Sequence, residues 1–212
     1  QCLKKQVDKF TYSTRSKKGL VGLSNLGNTC FMNTSLQCIA NCYELANYFL
    51  TDSYKKDLNM TNPLGSKGVL ADSFSSLLKN LYYGEDSVYT PRNFKRAISS
   101  FQSMFTGYQQ HDTQEFLNYL LDGVHEDLNR VINKPFVVKD ETPKEDSIKS
   151  REDWIGFLKR NQSVLVDLLY GQYKSTINCP CGNRSTTFDP YMSMAIPLVN
   201  KILPFEIKCF LM

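Results

Sequence analysis

The stretch Gly22-Leu23-Ser24-Asn25-Leu26-Gly27-Asn28-Thr29-Cys30-Phe31-Met32-Asn33 decides how the chain is read. With Gly19 just upstream, three glycines are set among Leu20, Val21, Leu23 and Leu26, which predicts a short strand and a loop held close to other backbone. A helical pattern follows at once. Met32, Leu36, Ile39 and Tyr43 recur at i, i+4, i+7 and i+11, with Asn28 or Thr29 as the N-cap. Cys30 then falls in the first turn, where unpaired N–H groups and the positive end of the helix dipole favour a thiolate. The same amides can face a tetrahedral oxyanion, and Asn25 can add a side-chain donor. Nucleophile and oxyanion donors thus lie within one hexapeptide. On these residues alone, a half-buried structural cysteine in a helix cap accounts for the pattern as well. Cys38 and Cys42 lie further along the helix and read as core or inert surface thiols.

Working outward, Leu70, Phe74, Leu77, Leu78 and Leu81 predict a second helix ending near Gly84. Thr90-Pro91 opens a third, through Phe94, Ala97, Ile98 and Phe101. A fourth starts at Asp112-Thr113-Gln114-Glu115 and sets Phe116, Leu120, Val124 and Leu128 on one face. Asp112 and Glu115 have N-cap and N3 spacing and can be read entirely as a capping box. Between Lys139 and Asp153, ten of fifteen residues are charged, which predicts an exposed excursion or linker. Trp154, Phe157 and Leu158 restart order as a short helix. From Val164 onward the pattern predicts strands: Tyr173 to Asn178 alternates, turns at Cys179-Pro180-Cys181-Gly182, and returns through Thr186, Phe188, Met192, Met194 and Ile196.

Composition bounds the function. The chain has 212 residues, 42% hydrophobic and 22% charged, enough for a sizeable core and too apolar for a disordered polymer. Its net charge of +4 is too mild to imply nucleic acid, and no apolar run reaches the roughly 18 residues of a membrane span. Residues 1 to 18 carry Lys4, Lys5, Lys9, Arg15, Lys17 and Lys18 against Asp8, a solvated arm or a docking tail. No apolar segment follows the first charges, so no secretory signal is visible. Seven cysteines are an odd number, and reduced thiols in the cytoplasm or nucleus are the expectation. With two histidines, any Cys–His mechanism within the chain must use His111 or His125.

Gly22 to Asn33 resembles the cysteine box of the ubiquitin-specific proteases, and Gly107-Tyr108-Gln109-Gln110-His111-Asp112-Thr113-Gln114-Glu115-Phe116-Leu117 resembles their second signature. Further similarity covers Asn62-Pro63-Leu64-Gly65, His125-Glu126-Asp127-Leu128-Asn129 and Arg160-Asn161-Gln162-Ser163-Val164. The resemblance spans roughly residues 19 to 200 and is closest to the large multidomain members. It implies an α+β, papain-like cysteine protease fold of thumb, fingers and palm. On that template residues 19–160 form a helical thumb with the charged excursion at 139–153. Residues 161–212 begin the β fingers and palm, most of the palm being absent.

The resemblance also implies roles. Cys30 is the nucleophile and Asn25 an oxyanion-hole donor, in hydrolysis of the bond after the C-terminal glycine of ubiquitin through a thioester. Asp112, Glu115 and Gln114 contact the arginine-rich tail of ubiquitin. The family's base is a histidine in a Gly-His-Tyr setting, which this sequence lacks, so the chain is expected to be the amino-terminal half of a catalytic domain and inactive alone. The chemistry needs no cofactor. Family fingers often hold zinc by two C-x-x-C pairs; here Cys179 and Cys181 form a C-x-C and Cys209 stands alone. A bare hairpin turn is the expectation, with a site completed by sequence beyond Met212 as the alternative. Expected partners are ubiquitin and ubiquitinated proteins, with neither nucleic acid nor membrane. A truncated, non-catalytic ubiquitin-binding or scaffolding protein is the alternative function.

Overall fold

The computed structural model describes residues 19–138, 142 and 144–196. The basic stretch 1–18, Cys209 and the residues expected to begin the palm lie outside the described residues. A two-residue strand, β1 (Gly22–Leu23), pairs in parallel with β2 (Val88–Tyr89). Between them run α1 (Cys30–Ala40), α2 (Tyr43–Leu50) and α3 (Val69–Tyr83), and after them α4 (Arg92–Phe101) and α5 (Thr113–Asp127). Then come α6 (Asp146–Leu158), α7 (Val164–Leu169) and an antiparallel hairpin of β3 (Gly171–Asn178) and β4 (Arg184–Tyr191).

The apolar faces of α1, α3, α4 and α5 meet in one core. Leu36, Leu70, Leu77, Ile98, Phe105, Phe116 and Leu120 are wholly buried there, each such side chain being worth about 1.5–3 kcal/mol. Gly123 lets α5 close on its neighbours, since a Cβ at that position would lie 2.6 Å from Leu70 and 2.7 Å from Phe101. Polar side chains of α1 tie it to β1: Asn33 Nδ2 donates to the carbonyls of Leu23 and Ser24, and Gln37 Nε2 to that of Val21.

The segments 62–65, 125–129 and 160–164 converge on a buried polar knot. The Asp127 carboxylate, with no exposure, accepts from Ser66 N–H and Ser66 Oγ, both at 2.6 Å, and from Ala71 N–H at 3.1 Å. Ser66 Oγ in turn accepts from Leu70 N–H at 2.7 Å. The first turn of α3, whose own N-cap is Gly68, is therefore capped from the far end of α5. Asn62 Nδ2 donates to Glu126, and Asn129 Oδ1 accepts from Val131 and Gln162 N–H while its Nδ2 donates to Arg160 O. His125, 3% exposed, meets Ser163 Oγ at 2.8 Å through Nδ1 and Asn161 Oδ1 at 3.4 Å through Nε2. Ser163 Oγ also caps α7 by accepting from Val166 N–H.

Four expectations change. The first helix stops at Ala40, and Tyr43 opens α2 as an exposed residue. The eleven-residue recurrence crosses a break at Asn41 and Cys42, and α2 buries its own face of Leu45, Ala46 and Phe49. The run from Val164 begins as helix, because Ser163 caps it and Leu165 and Val166 are buried; a short apolar run has no period that separates strand from buried helix. The charged excursion is helical from Asp146, and α6 buries no residue fully. It is held to the hairpin by polar contacts, Ser150 Oγ to Gln172 Oε1 at 2.6 Å and the ion pair of Lys174 with Asp146. Finally, β4 ends at Tyr191, so Met192, Met194 and Ile196 follow as irregular chain.

Two predictions follow from the knot. In Asp127→Asn the amide nitrogen cannot accept, so at least one of the three donors is orphaned, and urea titration should read a loss of about 1–3 kcal/mol. Stability unchanged in that variant would remove the carboxylate from the fold's support. For pH, burial pushes the His125 imidazole below its ordinary value despite the nearby Glu126 and Asp122 carboxylates. As pH falls below about 6.5, the unfolded chain takes up a proton that the folded chain resists, so stability falls. Burial alone would raise the Glu126 carboxyl, but Lys134 and Asn62 hold it below its ordinary value, which also favours the fold only while pH stays high. The melting temperature should therefore drop on acidification from about pH 7 to 5, with a shallower drop in His125→Asn.

Candidate active site

Cys30 is the first residue of α1 and is exposed. The helix has no side-chain cap, and its first hydrogen bond runs from Asn33 N–H to Thr29 O at 3.0 Å. The N-cap hydroxyl is used backwards: Thr29 Oγ1 accepts from Leu26 N–H at 2.9 Å and donates to Asn25 Oδ1 at 3.2 Å. Asn25 Oδ1 also accepts from Gly27 N–H at 2.9 Å and Thr29 N–H at 3.1 Å. Three donors on one oxygen fix which end of the amide is which. Asn25 Nδ2 has no partner among the described residues, so its two hydrogens are available to an acceptor at the loop surface.

The loop rests on the segment before α5. Gly27 has φ of 104°, and a Cβ there would stand 2.8 Å from the Tyr108 ring. Asn28, at φ 53°, donates from Nδ2 to Tyr108 O at 2.9 Å. Phe31 packs edge-on to His111 and Phe116, with ring centres 5.1 and 5.4 Å apart. Ser35 Oγ adds a bond to Thr113 O. The two sequence signatures thus form one structural unit.

Asp112 caps α5, its Oδ1 accepting from Glu115 N–H at 2.8 Å. The reciprocal half of the box is missing, because the Glu115 carboxylate makes no hydrogen bond among the described residues. Both carboxylates instead line a cavity of about 670 Å³ with Gln114, Asn118, Asp122 and Met192. Asn118 and Asp122 went unremarked in the sequence. Their spacing from Glu115, i+3 and i+7, is the signal that places them on the same face. Partial burial and the neighbouring Glu126 push the Asp122 carboxyl above its ordinary value, and with Asp112 and Glu115 it gives the cavity three acidic side chains.

Neither histidine reaches Cys30 by a hydrogen bond. The His111 ring is stacked edge-on between Phe31 and Phe105, and both His125 nitrogens are engaged in the knot. Cys179 and Cys181 stand at the exposed tip of the β3–β4 hairpin, in a turn closed by Gly182 N–H to Cys179 O at 2.9 Å. A contact from the Cys179 thiol lowers the Cys181 thiol from its ordinary value. Two thiols are half of a structural zinc set, and no group of three or more metal ligands occurs among the described residues, so these residues by themselves do not fit the ion.

Residues 21–203 match the family model described as ubiquitin carboxyl-terminal hydrolase. The chain belongs to that family. It is 49% identical over 185 residues to human ubiquitin carboxyl-terminal hydrolase 15 (Homo sapiens), a match covering 86% of this chain and 19% of the relative. To ubiquitin carboxyl-terminal hydrolase 4 of Bos taurus it is 47% identical, over 87% of this chain and 19% of the relative. A putative ubiquitin carboxyl-terminal hydrolase 11 of Arabidopsis thaliana is 48% identical, over 92% of this chain and 22% of the relative. The chain thus spans about a fifth of the length of these relatives. Among solved structures, the SAGA Ubp8/Sgf11/Sus1/Sgf73 DUB module bound to ubiquitin aldehyde superposes with a TM-score of 0.59 at 20% identity, over 85% of this chain and 35% of that one. The α+β fold is therefore the papain-like fold of the ubiquitin carboxyl-terminal hydrolases, of which this chain forms part.

In this hydrolase family member the Asn25 side chain has separable duties. Asn25→Asp keeps an oxygen for the three donors, so its stability should stay within about 0.5 kcal/mol of the parent. Asn25→Ala strips them all and should cost about 1–3 kcal/mol in the same denaturation assay. Equal losses in the two variants would show that the oxygen does not hold the loop.

Proposed function

We propose that the chain supplies the nucleophile, an oxyanion donor and the ubiquitin-tail contacts of a deubiquitinating thiol protease. The reading is carried by the Asn25 amide, whose oxygen is fully used by its own loop and whose nitrogen is left over beside a cysteine at an uncapped helix start. In this reading the Cys30 thiolate adds to the carbonyl carbon of ubiquitin's terminal glycine. The oxyanion takes hydrogen bonds from Asn25 Nδ2 and first-turn amides, and the C–N bond breaks as the leaving amine gains a proton. Water then adds to the thioester, returning the thiol and freeing ubiquitin's carboxylate. Asp112, Glu115 and Gln114 hold the cationic tail from their cavity.

The placement of His111 and His125 supports a base that comes from outside these 212 residues, which makes the chain alone a ubiquitin binder without turnover. Loss of one member of a catalytic unit costs on the order of 10⁶ in kcat. The five described cysteines are all free thiols, which supports a reducing compartment, cytoplasmic or nuclear. No helix among the described residues is long and apolar enough to cross a membrane. The proposed partners remain ubiquitin and ubiquitinated proteins, without nucleic acid.

Titration of the chain with ubiquitin, followed by NMR or calorimetry, tests the reading. Binding should weaken about tenfold or more in Asp112→Ala, the loss of a charge-assisted contact, and should be unchanged in Cys30→Ala. A fluorogenic ubiquitin C-terminal amide should not be hydrolysed. Hydrolysis abolished by Cys30→Ala would place the base within the chain, and absence of ubiquitin binding would defeat the recognition role.

A further inference from the structure

A second cavity, of about 920 Å³, adjoins the cysteine loop and shares no lining residue with the acidic one. Its charge is of the opposite sign. Arg92, Lys95 and Arg96 line it from one face of α4, as their i, i+3 and i+4 spacing requires, and Ser24, Asn25 and Tyr108 line it from the catalytic side. The Arg92 and Arg96 side chains are exposed and make no hydrogen bond or ion pair among the described residues. No acidic residue lines the cavity to neutralise them. Lys95 is half-buried and fixed in place, its Nζ donating to Phe105 O. Ser24 Oγ is buried and has no hydrogen-bond partner. Three cations therefore stand where Asn25, the proposed oxyanion donor, meets open space, with the idle Ser24 hydroxyl buried in the wall beside them.

We infer that this basic cleft receives an acidic segment of the acceptor polypeptide, the protein whose lysine carries ubiquitin. The inference rests on the proposed function and adds the substrate class to it. The cationic ubiquitin tail is assigned to the cavity of Asp112 and Glu115, so the acceptor must leave the reacting carbonyl elsewhere. The cleft that shares Asn25 with the oxyanion site lies at hand for it. Its sign selects carboxylates, because an acceptor lysine flanked by Asp or Glu meets complementary charge there, while one flanked by Lys or Arg meets repulsion. Arginine forks at Arg92 and Arg96 can each take a carboxylate in two parallel bonds. A nucleic acid would satisfy the cations too, but it has no reason to lie beside an oxyanion donor.

The test uses the Cys30→Ala chain and three labelled probes read by fluorescence anisotropy. They are ubiquitin alone, and ubiquitin joined through its terminal glycine to the lysine of a short peptide flanked either by Asp/Glu or by Ser/Gly. The acidic conjugate should bind about 3- to 10-fold more tightly than the neutral one at low salt, and the gain should vanish at about 0.5 M salt. Arg92→Ser/Arg96→Ser should erase the gain while leaving the affinity for ubiquitin alone unchanged, and Arg96→Glu should invert the preference. An acidic conjugate no tighter than the neutral one, or a gain that survives in the double variant, overturns the inference while leaving the ubiquitin reading intact. Displacement of the acidic and neutral conjugates alike by a single-stranded oligonucleotide would also overturn it, marking a general polyanion site. Failure of ubiquitin alone to bind defeats the proposed function itself and the inference with it.

Discussion

The carboxylate of Asp127 has no exposure and no cationic partner among the described residues, yet it sits at the centre of the structure with three donors on it. A buried charge is tolerable only when hydrogen bonds replace its lost water, and the first turn of a helix has the amides to do that. Here the helix start is that of α3 and the carboxylate comes from the last residue of α5. One interaction thus sets the axial position of α3 against α5, and Gly65 lets the chain before α3 close on it, since a Cβ there would lie 2.8 Å from Asp127 Oδ1. Everything that faces the proposed chemistry hangs from these two helices. The amino end of α5 carries the acidic cavity, and α3 leads through β2 to α4 and its basic face.

The cysteine loop depends on that frame at second hand. Its own hydrogen bonds through Asn25 and Thr29 hold its shape, and it leans on Tyr108 through the space left at Gly27 and the Asn28 side chain. Phe31, the residue after Cys30, then plugs the aromatic cluster of Phe105, His111 and Phe116. A histidine within a family signature is thereby spent on packing. Its ring packs edge-on against Phe31 and Phe105, in the wall behind the first turn of α1.

How far the sequence could be read follows from how local the deciding physics was. α3 and α5 declare themselves because long apolar stripes end at a glycine or begin at a capping aspartate, signals contained within a few residues. α1 and α2 share a phase by chance, so a periodicity running through Tyr43 hides the break at Asn41. α7 turns on Ser163, whose hydroxyl both caps the helix and meets a histidine 38 residues earlier. The helical part of the charged stretch is held by long-range polar contacts to β3 that no local pattern reveals. At the site, the place of Cys30 in the first turn of a helix was legible from the pattern, whereas the idle side of Glu115 and the cavity it lines required the fold.

Asp112 shows how one residue can satisfy both a structural and a recognition reading. A carboxylate has about four lone-pair sites, and the N-cap bond to Glu115 N–H occupies one. The second oxygen makes no hydrogen bond among the described residues, on a side chain that lines the cavity and is already oriented because the first oxygen is fixed. The same division operates at Asn25 in the opposite sense, the oxygen holding the loop and the nitrogen left without a partner among the described residues. In each case the structural bond removes the rotamer freedom that a ligand would otherwise have to quench, so the fold supplies the preorganisation on which tight, directional binding depends. Between those two residues the surface changes sign, carboxylates on the α5 side and guanidiniums on the α4 side. Under the proposed function, a substrate carrying a cationic tail and an anionic flank would have a single favourable orientation across such a boundary, with its scissile carbonyl at the junction, beside Asn25.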